Sequence, residues 1–268
     1  MKRIAFGAGG TALVLWLTVN GLFQCASQKT KAVENYDLYF QKGQEAFNKK
    51  RWDKAIENFT LVVLNSPGGD LADDAQFYLG ECYFNRKEYL LAISEYQRLT
   101  ERYIYSPLAE DANYKIALSQ FKEAPRYQRD QEYALSALQS FQDFIDTYPN
   151  SKYYPEAERK IGEIRSRLAR KMYESGRLYR KLEQWESAII YLDKTLELYY
   201  DTEWITKAKL EKAHCLIRLR QFDQYQQLLK EIKIQKKFPP TSEELTLLER
   251  IYLREQKRIA REEHKKTS

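Results

Sequence analysis

The chain has 268 residues, with 44 Lys and Arg against 38 Asp and Glu, a net charge of +6, 14% aromatic residues and only 10 Gly. So aromatic a chain is not a disordered one, and so few glycines exclude a fold of many tight β turns. The positive charge is mild and interspersed with acids, and no basic stripe stands apart before the tail, which excludes nucleic acid as the partner. An all-α fold is the expectation.

The first 24 residues read as a secretory signal peptide. Lys2 and Arg3 form a positive start, Ile4 to Leu22 is small and apolar, and Cys25 is followed by polar Ala26, Ser27 and Gln28. A transmembrane anchor is the competing reading, because the apolar run is just long enough to span a bilayer. Leu22-Phe23-Gln24-Cys25 resembles a lipobox, in which the cysteine is acylated and becomes the new N-terminus. Gln24 departs from that pattern, which carries a small residue before the cysteine. A lipidated Cys25 would anchor the chain to a membrane, with residues 25–35 as its linker.

From Tyr36 onward the chain echoes itself at 37 residues. Gly43, Gly80 and Ala117 share that spacing, as do Phe40, Phe77 and Tyr114, and Phe47, Phe84 and Phe121. Trp52 and Tyr89, Ala55 and Ala92, Phe59 and Tyr96, Gly176 and Ala213, and Trp185 and Phe222 repeat it. Such a period marks stacked supersecondary units, each burying its apolar face on its neighbours. The small residue lies where two antiparallel helices cross closely, and the alanines of the second helix face it. Pro67 and Pro149 end second helices, since proline cannot continue one.

The predicted helix pairs are 36–49 with 53–65, 71–85 with 88–102, 108–122 with 130–147, 155–181 with 184–199, and 204–219 with 222–235. The third pair carries an insertion around Lys122–Asp130 that holds Pro125, Arg126 and Arg129. After a linker with Pro239-Pro240, a last helix starts near Thr241, where Thr241 and Glu244 form a capping box. Leu245, Leu248, Tyr252 and Ile259 give that helix a weak apolar side, and its polar, cationic end is expected to fray. The small-aromatic-Ala-aromatic-Pro pattern is that of tetratricopeptide repeats, which implies a right-handed α-solenoid of about five pairs plus a C-terminal helix. Residues 36–149 are then repeats one to three, 150–238 repeats four and five, and 239–268 the last helix and basic tail.

With these repeats placed, the chain resembles the BamD family of outer-membrane β-barrel assembly lipoproteins. The resemblance rests on Cys25 shortly before the first repeat and on Ser106-Pro107-Leu108-Ala109-Glu110-Asp111-Ala112. It rests also on the run from Arg129-Asp130-Gln131 through Ala137, Phe141 and Phe144 to Tyr148-Pro149-Asn150-Ser151-Lys152-Tyr153. It implies a scaffold at the periplasmic face of the outer membrane, tethered through Cys25. The partners it implies are unfolded outer-membrane protein precursors, the barrel-forming subunit and other assembly lipoproteins. A secretin pilotin or a cell-envelope coordinator is the alternative. The family often places an arginine where Tyr191 stands here, which puts that detail of docking in doubt.

In such repeats the first helix of each pair lines a groove. Its inward positions would be Phe40, Gln44, Phe47 and Asn48, then Phe77, Glu81, Phe84 and Asn85, then Tyr114 and Phe121. These residues are candidates to hold an extended peptide; an aromatic stripe at helical spacing equally serves as packing between helices. Arg170, Lys171, Arg177, Arg180 and Lys181 make the first helix of the fourth pair basic, and by resemblance that helix could dock the barrel-forming subunit. A solvated helix face is the plainer reading of the same cations. The tail from Arg254 to Lys266 could touch anionic headgroups or simply solubilise the end.

Catalysis has little to rest on. His214 and His264 are the only histidines, and no CxxC, HExxH, P-loop or GxSxG pattern occurs. Neither an enzyme activity nor a cofactor or metal is expected. Cys82 and Cys215 each lie two residues after the small position of their repeats, and read as small buried hydrophobes too far apart to bond. Asp201 and Thr202 read as turn and cap residues between the last two pairs.

Overall fold

The computed structural model describes residues 36–124 and 131–267. The expected signal segment, Cys25, and Arg126 and Arg129 of the expected insertion lie outside the described residues. Among those described, the elements are eleven α-helices: α1 (Tyr36–Asn48), α2 (Trp52–Asn65), α3 (Ala72–Asn85), α4 (Tyr89–Arg102), α5 (Ala109–Glu123), α6 (Glu132–Thr147), α7 (Tyr154–Lys181), α8 (Trp185–Leu198), α9 (Trp204–Arg218), α10 (Phe222–Ile234) and α11 (Ser242–Thr267). Five pairs and a last helix match the sequence expectation. The chain divides into two compact units, one up to Asn113 and one from Tyr114 onward, a boundary that falls inside α5.

The pairing is built on one local device used several times. Ideal Cβ atoms added at Gly43, Gly80 and Gly176 would meet Phe59 at 2.6 Å, Tyr96 at 2.4 Å and Leu192 at 2.8 Å. In each case the side chain that fills the space of the missing Cβ comes 16 residues later, on the second helix of the pair. Ala55, Ala92 and Ala188, one turn before those fillers, are fully buried. The crossing leaves no room for a Cβ at the glycines and for no more than a methyl at the buried alanines, which is why the small residues recur.

The turn inside a pair also repeats. Lys50, Lys87, Glu183 and Arg220 adopt φ values of 56°, 64°, 59° and 59°, at 37-residue spacing within each two. The following residue donates its backbone N–H five residues back: Arg51 to Ala46, Glu88 to Tyr83, Gln184 to Tyr179 and Gln221 to Leu216. Together with the bonds from Lys50 to Phe47 and from Lys87 to Phe84, this is the Schellman closure, which satisfies the last carbonyls of the first helix. Glycine is the usual residue there. Each of these side chains holds a left-handed backbone at a cost of about 1–2 kcal/mol.

In the first unit, Phe40, Ala55, Phe59, Val62, Leu79 and Cys82 form the core. The ring of Phe59 stacks on Tyr78 at 5.0 Å, with Phe40 edge-on at 5.6 Å. In the second unit Tyr114 stacks on Tyr153 at 4.2 Å and meets Phe144 at 5.6 Å. Further on, Tyr173, Ala188, Leu192 and Cys215 form one cluster, and Leu216, Ile217, Tyr225, Ile232 and Leu248 another. Leu248 brings α11 into that core.

α11 begins as expected, on a capping box. The Thr241 N–H donates to Glu244 Oε2 at 2.8 Å, and the Glu244 N–H donates to Thr241 Oγ1 at 3.2 Å. Its end departs from the expected fraying, and the helix continues to Thr267. Ion pairs hold it to α9 and the turn that follows: buried Glu255 meets Arg218 of α9 at 3.3 Å and Arg220 at 3.5 Å, and Glu262 meets Arg220 at 2.6 Å, while Arg258 of α11 itself meets Glu255 at 2.9 Å.

Candidate functional site

In the first unit the candidate groove residues lie on α1 and α3 at equivalent positions. Phe40 is buried against Phe59 and Tyr78, so it is a core residue that shapes the helix face and leaves little surface for a ligand. Phe47, Phe77 and Phe84 are half-buried. Phe47 packs edge-on against Trp52 and Tyr78, both at 5.2 Å, Phe77 tilts against Tyr96 at 5.6 Å, and Phe84 meets Tyr89 at 5.5 Å. Each ring is thus held by neighbouring rings and remains partly exposed, Phe47 being gripped both by Trp52 of its own repeat and by Tyr78 of the next.

The polar residues at these positions follow the same division. Gln44 and Glu81 are half-buried, whereas Asn48 and Asn85 are exposed. Glu81 accepts a hydrogen bond from the Tyr96 hydroxyl, and burial together with the Glu81 charge raises that phenol well above its usual range. Asn85 donates to the Glu81 carbonyl one turn back, at 2.7 Å. In the second unit Tyr114 is buried in the stack with Tyr153, again a core position, and burial pushes its hydroxyl up to about 12. Phe121 is half-buried, with Lys160 at 4.4 Å and Arg167 at 5.0 Å from its ring centre.

The cations of α7 are not one free patch. Arg177 pairs with Glu174 at 3.4 Å and approaches Glu211 of α9 at 4.0 Å, and Arg180 pairs with Glu211. Arg177 and Arg180 thus join the fourth repeat to the fifth. Arg170 and Lys181 are exposed, Arg170 standing 5.6 Å from the Trp204 ring, and Lys171 is half-buried. Tyr191, which occupies the arginine position of the resemblance, stacks on Tyr179 at 5.1 Å.

A cavity of about 430 Å³ lies between α7, α9 and α11, lined by Tyr173, Arg180, Glu211, His214, Leu248 and Ile251 among others. Burial and the neighbouring Arg180 and Arg218 push His214 down to about 4, so it is neutral at neutral pH. Burial raises the Glu211 carboxyl in spite of its arginine partners. Burial also pushes the thiols of Cys82 and Cys215 up to about 12, which leaves both as inert packing groups. No group of three or more His, Cys, Asp or Glu among the described residues is placed to hold a metal ion.

Asp201 does more than the turn chemistry expected of it. Arg165 of α7 donates to both its carboxylate oxygens, at 2.9 Å and 2.7 Å, and holds that carboxyl below the usual range. Its carbonyl accepts from Lys237 at 2.9 Å, so one turn ties α7 to the linker before α11. Thr202 bonds back to the Tyr199 carbonyl as a turn residue, at 2.8 Å. The cluster around Glu255 escaped sequence reasoning altogether. Its one signal was a carboxylate in register with Leu248, Tyr252 and Ile259 on the apolar side of α11.

The chain is similar to several known proteins. The chain is 25% identical over 228 residues to the outer membrane protein assembly factor BamD of Caulobacter vibrioides, covering 82% of this chain and 75% of that protein. It is 26% identical over 207 residues to BamD of Vibrio cholerae, covering 72% of this chain and 84% of that one. Among solved structures, the tetratricopeptide domain of P58(IPK) overlays 78% of this chain and 53% of that one, at 14% identity and a TM-score of 0.44. The model of YfiO, described as an outer membrane lipoprotein, matches residues 31–229. The chain therefore belongs to the YfiO family of outer membrane lipoproteins.

Proposed function

We propose that the protein is a non-catalytic scaffold of outer-membrane β-barrel assembly, which holds extended barrel precursors on its first unit and the barrel-forming subunit on its second. The observation that carries the first half is the row of half-open rings Phe47, Phe77 and Phe84 beside polar Gln44, Glu81, Asn48 and Asn85. Rings already held by packing and still partly exposed offer apolar area at little entropic cost, and flanking amides can bond the backbone of an extended chain. Phe40 and Tyr114 support the helix faces from within. On the second unit, exposed Arg170 and Lys181 and half-buried Lys171 give α7 a positive surface that could attract an acidic face of a folded partner. Arg177 and Arg180 would act by fixing the fifth repeat. Cys25 would carry the lipid that tethers the chain to the periplasmic face of the outer membrane, alongside other assembly lipoproteins.

The test of peptide capture is the pair Phe47→Ala and Phe84→Ala. Binding of a peptide from the C-terminus of a barrel precursor should weaken about tenfold in the double variant, with the melting temperature tracked alongside. Unchanged affinity in a folded double variant would return these rings to packing alone. For the second unit, full-length protein purified from membranes should bring down a large β-barrel protein, and Arg170→Glu with Lys181→Glu should reduce the yield. If no β-barrel protein ever co-purifies, the assembly reading fails.

A further inference from the structure

The charges of α11 are sorted by the fold in a way its sequence alone does not reveal. Two of its acids are taken up in ion pairs: Glu255 lies buried among Arg218, Arg220 and Arg258, and partly exposed Glu262 pairs with Arg220 and Arg258. Its outward side keeps Arg250, Arg254, Lys257, Arg261 and Lys265, all exposed and none in an ion pair among the described residues. These five follow one another at steps of four, three, four and four residues. At 3.6 residues per turn they fall within an arc of about 80° and form a row about 22 Å long. Glu249 and Glu263, the remaining acids of that stretch, project to other sides of the helix. Two exposed leucines flank the row, Leu247 at 55% and Leu253 at 50% exposure.

We infer that this outward face of α11 docks on the anionic phospholipid headgroups of a membrane. A straight row of cations on a convex helix presents point charges to a plane, and a helix rich in Lys and Arg with apolar flanks is suited to a headgroup layer. The paired glutamates matter as much as the outward cations. They hold α11 against α9, and they remove from the outer face the acids that would otherwise neutralise it. Arg220 and Arg258, which would be further free cations, are consumed in that fastening. A membrane surface is at hand for an outer membrane lipoprotein. The row lies beyond residue 229, where the family match ends. The inference is independent of peptide capture on the first unit.

The experiment compares the full chain with the variant Arg250→Gln, Arg254→Gln, Lys257→Gln, Arg261→Gln on two kinds of vesicle. One is phosphatidylethanolamine alone and the other phosphatidylethanolamine with about one quarter phosphatidylglycerol. Both proteins keep residues 1–35, so any membrane affinity of that segment is common to both and cancels. The native chain should partition about tenfold more strongly onto the anionic vesicles, and the preference should collapse in about 0.5 M salt. The variant should lose the preference while keeping its melting temperature, because the four side chains are exposed. Equal preference in both proteins overturns the inference. So does a variant whose vesicle binding is unchanged but which no longer retains an acidic protein partner in detergent; the row would then be a protein-docking surface.

Discussion

The slot behind the small residue of a repeat is filled differently in the two units. In the first it takes an aromatic ring, Phe59 behind Gly43 and Tyr96 behind Gly80. In the second, Leu192 fills the same slot behind Gly176, and the neighbouring repeat is fastened with charge, Arg177 and Arg180 on Glu211 and three arginines around Glu255. The backbone device is the same and the chemistry that completes it differs. Repeat geometry therefore constrains where a residue must be small far more tightly than it constrains what fills the space left behind.

Two glycines that look alike in sequence break that comparison most sharply. Gly80 and Gly162 both lie inside helices, but a Cβ at Gly80 would meet the Tyr96 ring at 2.4 Å, whereas at Gly162 it would meet nothing within 4 Å. Gly80→Ala should cost about 1–3 kcal/mol through overpacking. Gly162→Ala should stabilise by about 0.5–1 kcal/mol, since alanine is the better helix former. Urea titration of the two variants decides it, and a destabilised Gly162→Ala would mean that this face of α7 is covered.

A smaller effect separates the units by pH. His214 titrates near 4 when folded and near 6.5 when unfolded, so between those values the unfolded chain binds the extra proton. Stability contributed by neutral His214 is therefore full above about 6.5 and is lost as the pH falls toward 4. After discounting for its partial exposure to water, the loss is about 1–2 kcal/mol. The raised carboxyl of Glu211 works in the opposite sense, so the measurement is the difference between the native chain and His214→Gln in melting temperature from pH 7 to pH 4.5. The variant should flatten that difference; an unaltered pH slope would mean that another group carries it.

The smallest expected effect asks whether the turns of the two units are interchangeable. Lys87 and Glu183 hold the same left-handed closure. Lys87→Gly and Glu183→Gly should each stabilise by about 0.5–1 kcal/mol, the relief of the backbone being partly offset by the greater freedom of glycine in the unfolded chain. Unequal responses under thermal denaturation would mean that one side chain has a contact that keeps it in place.

Much of this architecture was legible beforehand because a 37-residue echo carries its own geometry. Gly43, Gly80 and the alanines marked the close crossings, Pro67 and Pro149 marked the stops, and Thr241 with Glu244 marked the start of α11. The turns inside each pair gave no glycine to read, since Lys50, Lys87, Glu183 and Arg220 adopt the glycine conformation without being glycine. Among the candidate site residues, spacing alone could not separate Phe40 and Tyr114, which are buried, from Phe47 and Phe84, which are half open. One helical stripe serves for packing and for binding alike, and only the neighbouring helix determines how much of each ring remains exposed.

Helix number, order and length, and the positions that must stay small, were thus determined locally, by periodicity and by residues that cannot do otherwise. Tertiary structure alone decided the fate of the charges. Arg177 and Arg180 looked like part of a docking patch until Glu211 faced them across the gap between repeats. Glu255 looked like one more acid in a mixed helix until three arginines closed around it and left the outer row uncompensated. A charge acts over distances in space that sequence separation does not encode, so its partner, and hence its purpose, appears only when the chain is folded.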